Sequence, residues 1–174
     1  EEMLRPLDHL EAPTYFSMGN HEEYEGLQYV RETIQNLEMK LLDKEVVENK
    51  GLQIIGVNDR QSIPKDLTLD SILSQLPYDK EKPTILMYHT PVEWDEARKN
   101  GVDLMLSGHT HNGQIFPFNF LVRIQFKYLN GMYKKEGKLL HVSPGTGTWG
   151  PPMRLGSKNQ ITLLKLVRNQ KIPN

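Results

Sequence analysis

The sequence predicts an α/β domain, and two patterns carry this prediction. Short apolar segments typical of buried strands, such as 84–88 and 103–106, alternate with stretches in which apolar residues recur every three or four positions, as on one helix face. Several predicted strands run directly into polar turns that contain histidine, at 19–23, 89–91 and 107–114. In an open α/β sheet such junctions lie along one edge, where loops converge on a ligand. We therefore expect the functional residues at these junctions.

The individual elements follow from local spacing and turn residues. Helical spacing predicts one helix over 23–37, and the turn Asn49-Lys50-Gly51 between β-branched segments predicts a hairpin of strands. A helix over 68–76 ends at Pro77, and Pro91 opens another over 92–100 that Gly101 caps. Strands are predicted at 14–18, 46–47, 52–57, 84–88, 103–106, 132–133, 139–142 and 161–167, the last three in a β-rich region beyond Phe116. The glycine- and proline-rich segment 143–152 is predicted to be a shaped loop.

Length and composition narrow the class of protein. The 174 residues suit one domain with a continuous core, and 37% hydrophobic with 25% charged residues is typical of a folded, water-soluble domain. The net charge of −1 indicates no strongly basic face, so we expect no nucleic-acid partner. Because the chain contains no cysteine, disulfides and thiolate chemistry are excluded, and a metal ion would be held by His, Asn, Asp or Glu.

The chain shows no targeting segment. No apolar run reaches the roughly 20 residues of a membrane helix, and the acidic start Glu1-Glu2 lacks the regions of a signal peptide. The sequence does not begin with Met, and its first predicted strand begins only at Thr14. We therefore expect these residues to be part of a longer protein.

Four of the six histidines lie just beyond predicted strand ends: His21, His89, His109 and His111. A single loop histidine is usually structural, whereas four at equivalent junctions indicate a shared site. In an extended segment His109 and His111 would point to the same side, and in a tight turn toward two neighbouring metals. Imidazoles with the amide oxygen of Asn20, and no thiolate, suit a catalytic metal site better than a closed structural zinc site. Hydrolysis is the reaction that this donor set favours.

Three motifs carry a family resemblance. The segments Gly19-Asn20-His21-Glu22, Tyr88-His89-Thr90-Pro91 and Gly108-His109-Thr110-His111-Asn112-Gly113-Gln114 occur in the order and context typical of calcineurin-like metallophosphoesterases. The later segment Gly147-Thr148-Trp149-Gly150-Pro151-Pro152-Met153-Arg154 resembles a bacterial, often membrane-associated branch related to UDP-diacylglucosamine pyrophosphohydrolases and other phosphodiesterases. The resemblance extends from about Thr14 to Val167.

The resemblance implies a fold, a reaction and residue roles. The family fold packs two mixed β-sheets between helical layers, and we expect residues 1–174 to form a single domain that is its C-terminal part. The family hydrolyses phosphoesters with two divalent metal ions, such as Mn, Fe or Zn. By resemblance Asn20, His89 and His109 are ligands of one ion, His111 is a ligand of the other, and His21 is the catalytic histidine near the leaving group.

The family's opening motifs, an Asp-x-His pair and a Gly-Asp segment, are absent from this sequence. The resemblance places them upstream of Glu1, where the Gly-Asp segment would supply a carboxylate that bridges the metals. With one matching ligand for the second ion, we expect two ions in the complete domain and one or none in these residues. We therefore expect residues 1–174 alone to be inactive.

Other residues have competing interpretations. Trp149 and Arg154 either shape a substrate pocket, with Arg154 pairing with a phosphate, or anchor a loop on the sheet, and both interpretations have equal weight. Asp59 and Arg60 follow a predicted strand, and a solvated turn is favoured over a place near the site. His9 and His141 match no motif and are predicted to be structural.

These observations predict a metal-dependent hydrolase of phosphodiester or pyrophosphate bonds, truncated here, whose partner is its phosphoester substrate. The alternative is a noncatalytic metal-binding or regulatory module. We expect self-association through sheet edges left unpaired by absent strands. The resemblance further implies that the full-length protein is bacterial and associated with a membrane, whereas nothing in the sequence assigns a location to these residues alone.

Overall fold

The computed structural model describes residues 4–167 and confirms the α/β class. Its strands are β1 (Thr14–Phe16), β2 (Met39–Leu41), β3 (Glu45–Asn49), β4 (Leu52–Val57), β5 (Thr84–Tyr88), β6 (Leu104–Ser107), β7 (Gly131–Lys135) and β8 (Lys138–Val142). Six of them form a mixed sheet in the order β3-β4-β5-β6-β8-β7. The inner strands β4, β5, β6 and β8 run parallel, and the outer strands β3 and β7 run antiparallel to their neighbours. The strands β1 and β2 form a separate parallel pair.

Five α-helices connect these strands: α1 (Asn20–Glu25), α2 (Leu27–Gln35), α3 (Leu69–Gln75), α4 (Trp94–Lys99) and α5 (Phe118–Gln125). Short 3-10 helices occupy Arg5–His9, Arg60–Ser62 and His111–Gly113. No helix within residues 4–167 is both long enough and apolar enough to cross a bilayer.

The main core lies on one face of the six-stranded sheet. Alternate strand residues such as Ile55, Leu86 and Met105 are fully buried and belong to one cluster with Leu69 of α3 and Trp94 of α4. Because strand side chains alternate between faces, this one-sided packing fixes the register of each strand. The register in turn fixes where each strand ends.

The strand pair β1–β2 has its own cluster with α2, centred on the buried residues Ile34, Leu37 and Met39. It meets the larger sheet at Gly56, where an added Cβ would lie 2.2 Å from the Cβ of the buried Leu42. A side chain at position 56 is therefore excluded. The backbone N–H of Asp59 donates to the carbonyl of Met18 at 3.0 Å, which joins the chain beyond β1 to the end of β4.

Several local predictions are confirmed. The β3–β4 turn places Lys50 and Gly51 in the left-handed region, with φ of 51° and 80°. In α3 the Thr68 hydroxyl accepts from the Ser71 N–H at 3.1 Å, and the helix ends before Pro77. The residue after the cap of α4 is Gly101, with φ of 95°. These turn residues identified the ends of the elements correctly. The prediction that Pro91 opens α4 is wrong, because the helix begins at Trp94, after Glu93 with φ of 56°.

The single helix predicted over 23–37 is wrong, because Gly26 divides it into α1 and α2 with φ of 95° and ψ of 110°. The first helix also starts earlier than expected. The Glu22 carboxylate accepts from the Gly19 N–H at 2.6 Å and caps the helix start. Asn20 and His21, predicted in a polar turn, therefore lie in the first turn of α1.

The β-rich prediction beyond Phe116 is only partly right. The strands expected at 132–133 and 139–142 are present as β7 and β8, which pair as a hairpin. Residues 118–125, however, form α5 although Phe, Val and Ile favour strands. The strand expected over 161–167 is absent from the described structure, where Ile161 and Leu163 are 90% and 95% exposed. A strand is stable only when a neighbour pairs with its backbone, and residues 161–167 have no such neighbour among those described.

Candidate functional site

Three predicted side chains meet beyond strand ends, although only the strands before the two histidines are neighbours and the strand before Asn20 belongs to the separate β1–β2 pair. Asn20 follows β1, His89 follows β5 and His109 follows β6. The Asn20 Oδ1 atom lies 3.0 Å from His89 Nε2 and 3.1 Å from His109 Nδ1. The two imidazole rings are perpendicular, with centroids 5.3 Å apart. Two imidazole nitrogens from different loops thus lie within hydrogen-bond distance of the same amide oxygen, which can only accept.

The backbone fixes this convergence. The Gly108 N–H donates to the His89 carbonyl at 2.8 Å, so the loops after β5 and β6 are joined directly. At Gly19 an added Cβ would lie 2.9 Å from the His89 ring. The segment before α1 approaches His89 this closely because position 19 has no side chain.

The loop that carries His109 and His111 is a tight left-handed turn. His109, His111 and Asn112 have φ of 65°, 49° and 52°, which is uncommon for residues other than glycine. Of the two arrangements that the sequence left open, the structure adopts the tight turn rather than the extended segment. The next residue, Gly113, packs on the start of α5, where an added Cβ would lie 2.3 Å from the Cα of Asn119.

The two remaining histidines lie on the same cavity but outside the convergent trio. His111 Nδ1 lies 3.2 Å from the guanidinium Nη2 of Arg154, and its carbonyl accepts from the Ser157 hydroxyl at 2.8 Å. His21 is exposed and stacks edge-on against Tyr24, with ring centroids 5.6 Å apart. The structure therefore separates His21 and His111 from the position shared by Asn20, His89 and His109.

Burial favours the neutral form of His89, His109 and His111. It lowers the pKa of His89 to about 4, with a smaller opposing effect from the Asp59 charge. Burial is also the main reason that the pKa values of His109 and His111 are lowered, and the Arg154 charge lowers that of His111 further. A neutral imidazole has a free lone pair, which is the form that binds a metal ion.

The donor set fits a metal ion. Two donor atoms that bind one ion at about 2.1 Å each are about 3 Å apart, and the Asn20 oxygen lies 3.0 Å and 3.1 Å from the His89 and His109 nitrogens. Among residues 4–167 no group of three or more His, Asp or Glu side chains could hold a metal ion. The candidate ligand set instead combines the amide oxygen of Asn20 with imidazole nitrogens of His89 and His109.

Asp59 is a site residue that sequence reasoning missed. A solvated turn was favoured, but the side chain is fully buried, so that prediction is wrong. Its carboxylate accepts hydrogen bonds from the Thr90 hydroxyl and from the Gln61 N–H. Its negative charge opposes the lowering of the His89 and His109 pKa values. Its position directly after β4, at the same sheet edge as the histidines, was the available signal.

A cavity of about 560 Å³ opens over these residues. Asn20, His21, His89, His109 and His111 line one end, and Trp149 forms part of its wall. The Gln114 side chain holds Trp149 by accepting from its N–H and donating to its carbonyl. The volume is in the range of small-molecule sites.

Arg154 lies behind the cavity wall. Its guanidinium donates to backbone carbonyls of Pro144, Gly147 and His111 and to the Ser157 hydroxyl. Arg154 thus anchors the loop after β8, and a role in substrate binding stays a prediction for both Arg154 and Trp149. His141 is buried in β8, and His9 is exposed in the first 3-10 helix.

Histidine and amide side chains beyond the ends of strands in an α/β fold indicate a binding or catalytic site. The fold and these residues do not by themselves identify one activity. A family model described as calcineurin-like phosphoesterase matches residues 1–113. The chain therefore belongs to the calcineurin-like phosphoesterase family, whose members generally use divalent metal ions. The resemblance carried by the three histidine motifs is confirmed.

Several related proteins are named as metallophosphoesterases or phosphodiesterases. An uncharacterized metallophosphoesterase of Helicobacter pylori (strain J99) is 38% identical over 177 residues, which cover 96% of this chain and 47% of that protein. A transmembrane protein with metallophosphoesterase domain from Bos taurus is 33% identical, over 88% of this chain and 38% of its own length. Phosphodiesterase YaeI of Escherichia coli is 25% identical, over 95% and 62%. The chain spans about half the length of the first of these relatives, and no solved structure matches it.

Proposed function

We propose that the full-length protein hydrolyses phosphoester bonds, of the phosphodiester or pyrophosphate type, with two divalent metal ions. The observation that carries this proposal is the contact of Asn20 Oδ1 with both His89 Nε2 and His109 Nδ1. Family membership supports the phosphoester class, and the name of the Escherichia coli relative supports a diester. In this proposal the trio holds one ion and His111 contributes to the second.

The residues of the chain have separate tasks in the proposed reaction. Bound divalent ions supply activation of water and neutralisation of charge at phosphorus. Asn20, His89 and His109 present oxygen and nitrogen donor atoms, and burial lowers the pKa of both imidazoles, which favours their neutral form. His21, exposed at the cavity, holds a proton and gives it to the departing oxygen as a general acid.

Trp149 and Arg154 complete the proposed substrate site. Trp149 supplies a wall for a group attached to phosphorus. Arg154 holds the loop after β8 through its carbonyl contacts and places a positive charge beside His111. Its contribution to an anionic substrate is then electrostatic attraction near the cavity, in addition to support of the loop.

The overall activity is tested with bis-p-nitrophenyl phosphate, comparing the full-length protein with residues 1–174. We expect Mn-dependent hydrolysis by the full-length protein and none by the 174 residues. Equal rates with Mn and with a chelator would contradict the proposal. Stoichiometric metal binding without turnover would favour the noncatalytic metal-binding or regulatory module instead.

The tasks of the adjacent residues Asn20 and His21 are separated by one pair of variants. In the full-length protein Asn20→Ala should lose metal as well as turnover, because it removes a ligand oxygen. His21→Ala should keep its metal and lose roughly 10²–10⁴-fold in rate for poor leaving groups, with a smaller loss for good ones.

Elemental analysis and a series of aryl phosphodiesters measure both effects in one buffer. The aryl series is the internal control, since an acid matters less as the leaving group improves. If His21→Ala lost metal as Asn20→Ala does, or slowed every ester equally, the general-acid role would be wrong.

A further inference from the structure

The imidazole of His21, the proposed general acid, is held by few contacts. The side chain lines the cavity but is exposed, and within residues 4–167 its ring makes no hydrogen bond. A general acid has to lie about 3 Å from the oxygen that it protonates. An exposed side chain changes rotamer rapidly, so an unrestrained imidazole would often lie elsewhere. Any contact that restrains the ring therefore affects how often the acid is in position.

The restraining contact comes from Tyr24, three residues further along α1. Residues three positions apart lie on the same face of a helix. The ring centroids of His21 and Tyr24 are 5.6 Å apart, and the angle between the rings is 78°. This edge-to-face geometry is one that aromatic rings prefer. Tyr24 is not among the described residues that line the cavity, so it contacts the proposed acid from outside the site.

Tyr24 is in turn fixed by a hydrogen bond. Its side chain is 68% exposed, yet its hydroxyl donates to the Gln61 side-chain oxygen Oε1 at 3.0 Å. A second bond beside it joins the Ser62 hydroxyl to the Glu23 carboxylate at 2.8 Å. Two consecutive residues of α1 thus contact two consecutive residues of the 3-10 helix Arg60–Ser62. A rotamer change that moved the Tyr24 ring away would break its hydrogen bond.

The 3-10 helix is anchored next to a predicted metal ligand. The Gln61 N–H donates to one oxygen of the fully buried Asp59 carboxylate at 3.1 Å. The other carboxylate oxygen accepts from the hydroxyl of Thr90, which is adjacent to His89. One turn therefore supports the segment of a predicted ligand on one side and, through Gln61 and Tyr24, the proposed acid on the other. This path relates the position of the acid to that of the His89 ring.

Packing in the core does not account for Tyr24. It belongs to neither buried cluster, and a side chain so exposed contributes little apolar burial. Tyr29 on α2 is almost equally exposed, at 64%, but makes no hydrogen bond or ring contact within the described residues. The two tyrosines therefore differ in their contacts rather than in their burial, which makes Tyr29 a matched control.

We propose that Tyr24 is a positioning residue for His21: its ring holds the imidazole at the cavity, and Gln61 holds the ring. This inference rests on the proposed hydrolysis, in which His21 is the general acid. Tyr24 contacts no reacting atom, so its effect on the reaction is transmitted through His21. Tyr24 should therefore matter only while His21 is present.

The kinetic test uses the full-length protein with Mn and the series of aryl phosphodiesters. Tyr24→Ala should lower kcat for poor leaving groups by up to roughly 10²-fold, as a misplaced catalytic group does, with a smaller loss for good ones. KM and metal content should stay close to those of the unsubstituted protein. Tyr24→Phe keeps the ring and should lose less, and Tyr29→Ala should lose nothing. An unchanged kcat in Tyr24→Ala, or an equal loss for every leaving group, would overturn the inference.

A double-mutant cycle separates positioning from a general structural effect. In the His21→Ala background Tyr24→Ala should cause no further loss of rate, because the group that it positions is already gone. Losses that multiply in the double variant would show that Tyr24 acts on another part of the protein, and would overturn the inference.

Nuclear magnetic resonance of the His21 ring supplies a readout that needs no turnover. In metal-free full-length protein with isotope-labelled histidine, the signal that His21→Ala removes identifies this ring. Tyr24→Ala should shift the signal, because an aromatic ring no longer lies beside it, whereas Tyr29→Ala should leave it in place. An unchanged signal in Tyr24→Ala would overturn the inference and leave the proposed hydrolysis intact. A shifted signal in a protein that hydrolyses no ester would uphold the contact and contradict the proposed hydrolysis.

Discussion

The two ends of the cavity differ in how their side chains are held. At the polar end Asn20 Oδ1 lies within hydrogen-bond distance of two imidazoles, and Asp59 behind them is fully buried. At the apolar end the α5 side chains Phe118 and Leu121 line the cavity but are 57% and 60% exposed. Strand ends thus fix the polar end from several directions, whereas one short helix carries most of the apolar end. The polar end should therefore tolerate substitution far less.

The largest effect is expected where a predicted ligand is lost. In the full-length protein His109→Ala removes one of three convergent donors, so metal affinity should fall by more than the roughly 10–100-fold typical of residues that only support ligands. Titration with Mn followed by elemental analysis measures the loss. His141→Ala is the matched control, because His141 is buried in β8 and is not a cavity residue. Equal metal loss in both variants would show that His109 affects metal binding no more specifically than a buried residue outside the cavity does.

The second effect is a dependence of stability on pH in metal-free protein. Burial lowers the pKa of His89 to about 4 in the folded state, against about 6.5 when unfolded. Between these values the unfolded state binds more protons, so the free energy of unfolding should be highest above pH 6.5. It should then fall as the pH is lowered toward 4, by a total on the order of 3 kcal/mol.

Urea unfolding with a chelator at pH 7 and pH 4.5 measures this dependence. His89→Gln removes the titrating ring and should flatten the curve over the same interval. A steep dependence retained in His89→Gln would assign the effect to other groups. His109 shifts in the same direction, because burial lowers its pKa as well.

A smaller effect is expected behind the ligands, at the contact between Thr90 and Asp59. Thr90→Val removes the hydroxyl that donates to the buried carboxylate, which should cost about 1–3 kcal/mol of unfolding free energy. Thr90→Ser keeps the hydroxyl and should recover much of this loss. Metal affinity should follow the same order, since Thr90 is adjacent to His89. Identical stability of the two variants would show that the hydrogen bond contributes little.

The smallest effect is expected on the outer face of α5. Ile124→Ser replaces an exposed side chain, so the unfolding free energy should change by no more than about 0.5 kcal/mol. Thermal unfolding against the unsubstituted protein measures it. A loss of several kcal/mol would mean that another part of the full-length protein covers this face, and the contrast between the two ends would then be weaker.

The sequence predicted the polar end well because its signals are local. His89 and His109 directly follow compact apolar strands, and parallel strands bring their carboxyl ends to one edge. Asp59 lies in a similar position after β4, but the sequence favoured a solvated turn there. Burial of a carboxylate depends on partners that are distant in sequence, such as Thr90, and local patterns do not show them. The tight turn at His109 and His111 was one of two possibilities, because spacing alone does not determine backbone angles.

The apolar end was not predicted, because its residue types are ambiguous. Phe118, Leu121 and Val122 have helical spacing, yet Phe and Val also suit strands, and tertiary packing decided between them. Gly26 was read as part of one helix, although its positive φ divides that helix in two. Residues 161–167 have strand composition without a described neighbour to pair with. In each case the deciding contact is distant in sequence or absent.

The close approach at Gly113 has a consequence for how ligands influence one another. Since a single added carbon would collide with Asn119, the loop bearing His109 and His111 and the first turn of α5 cannot shift independently. A ligand that displaces α5 would therefore also displace the imidazoles. Thermodynamic reciprocity then requires that the factor by which a metal ion changes the affinity for such a ligand equals the factor by which the ligand changes the affinity for the ion. The affinity of the proposed metal site would thus depend on what contacts the first turn of α5 as well as on the residues that bind the ion.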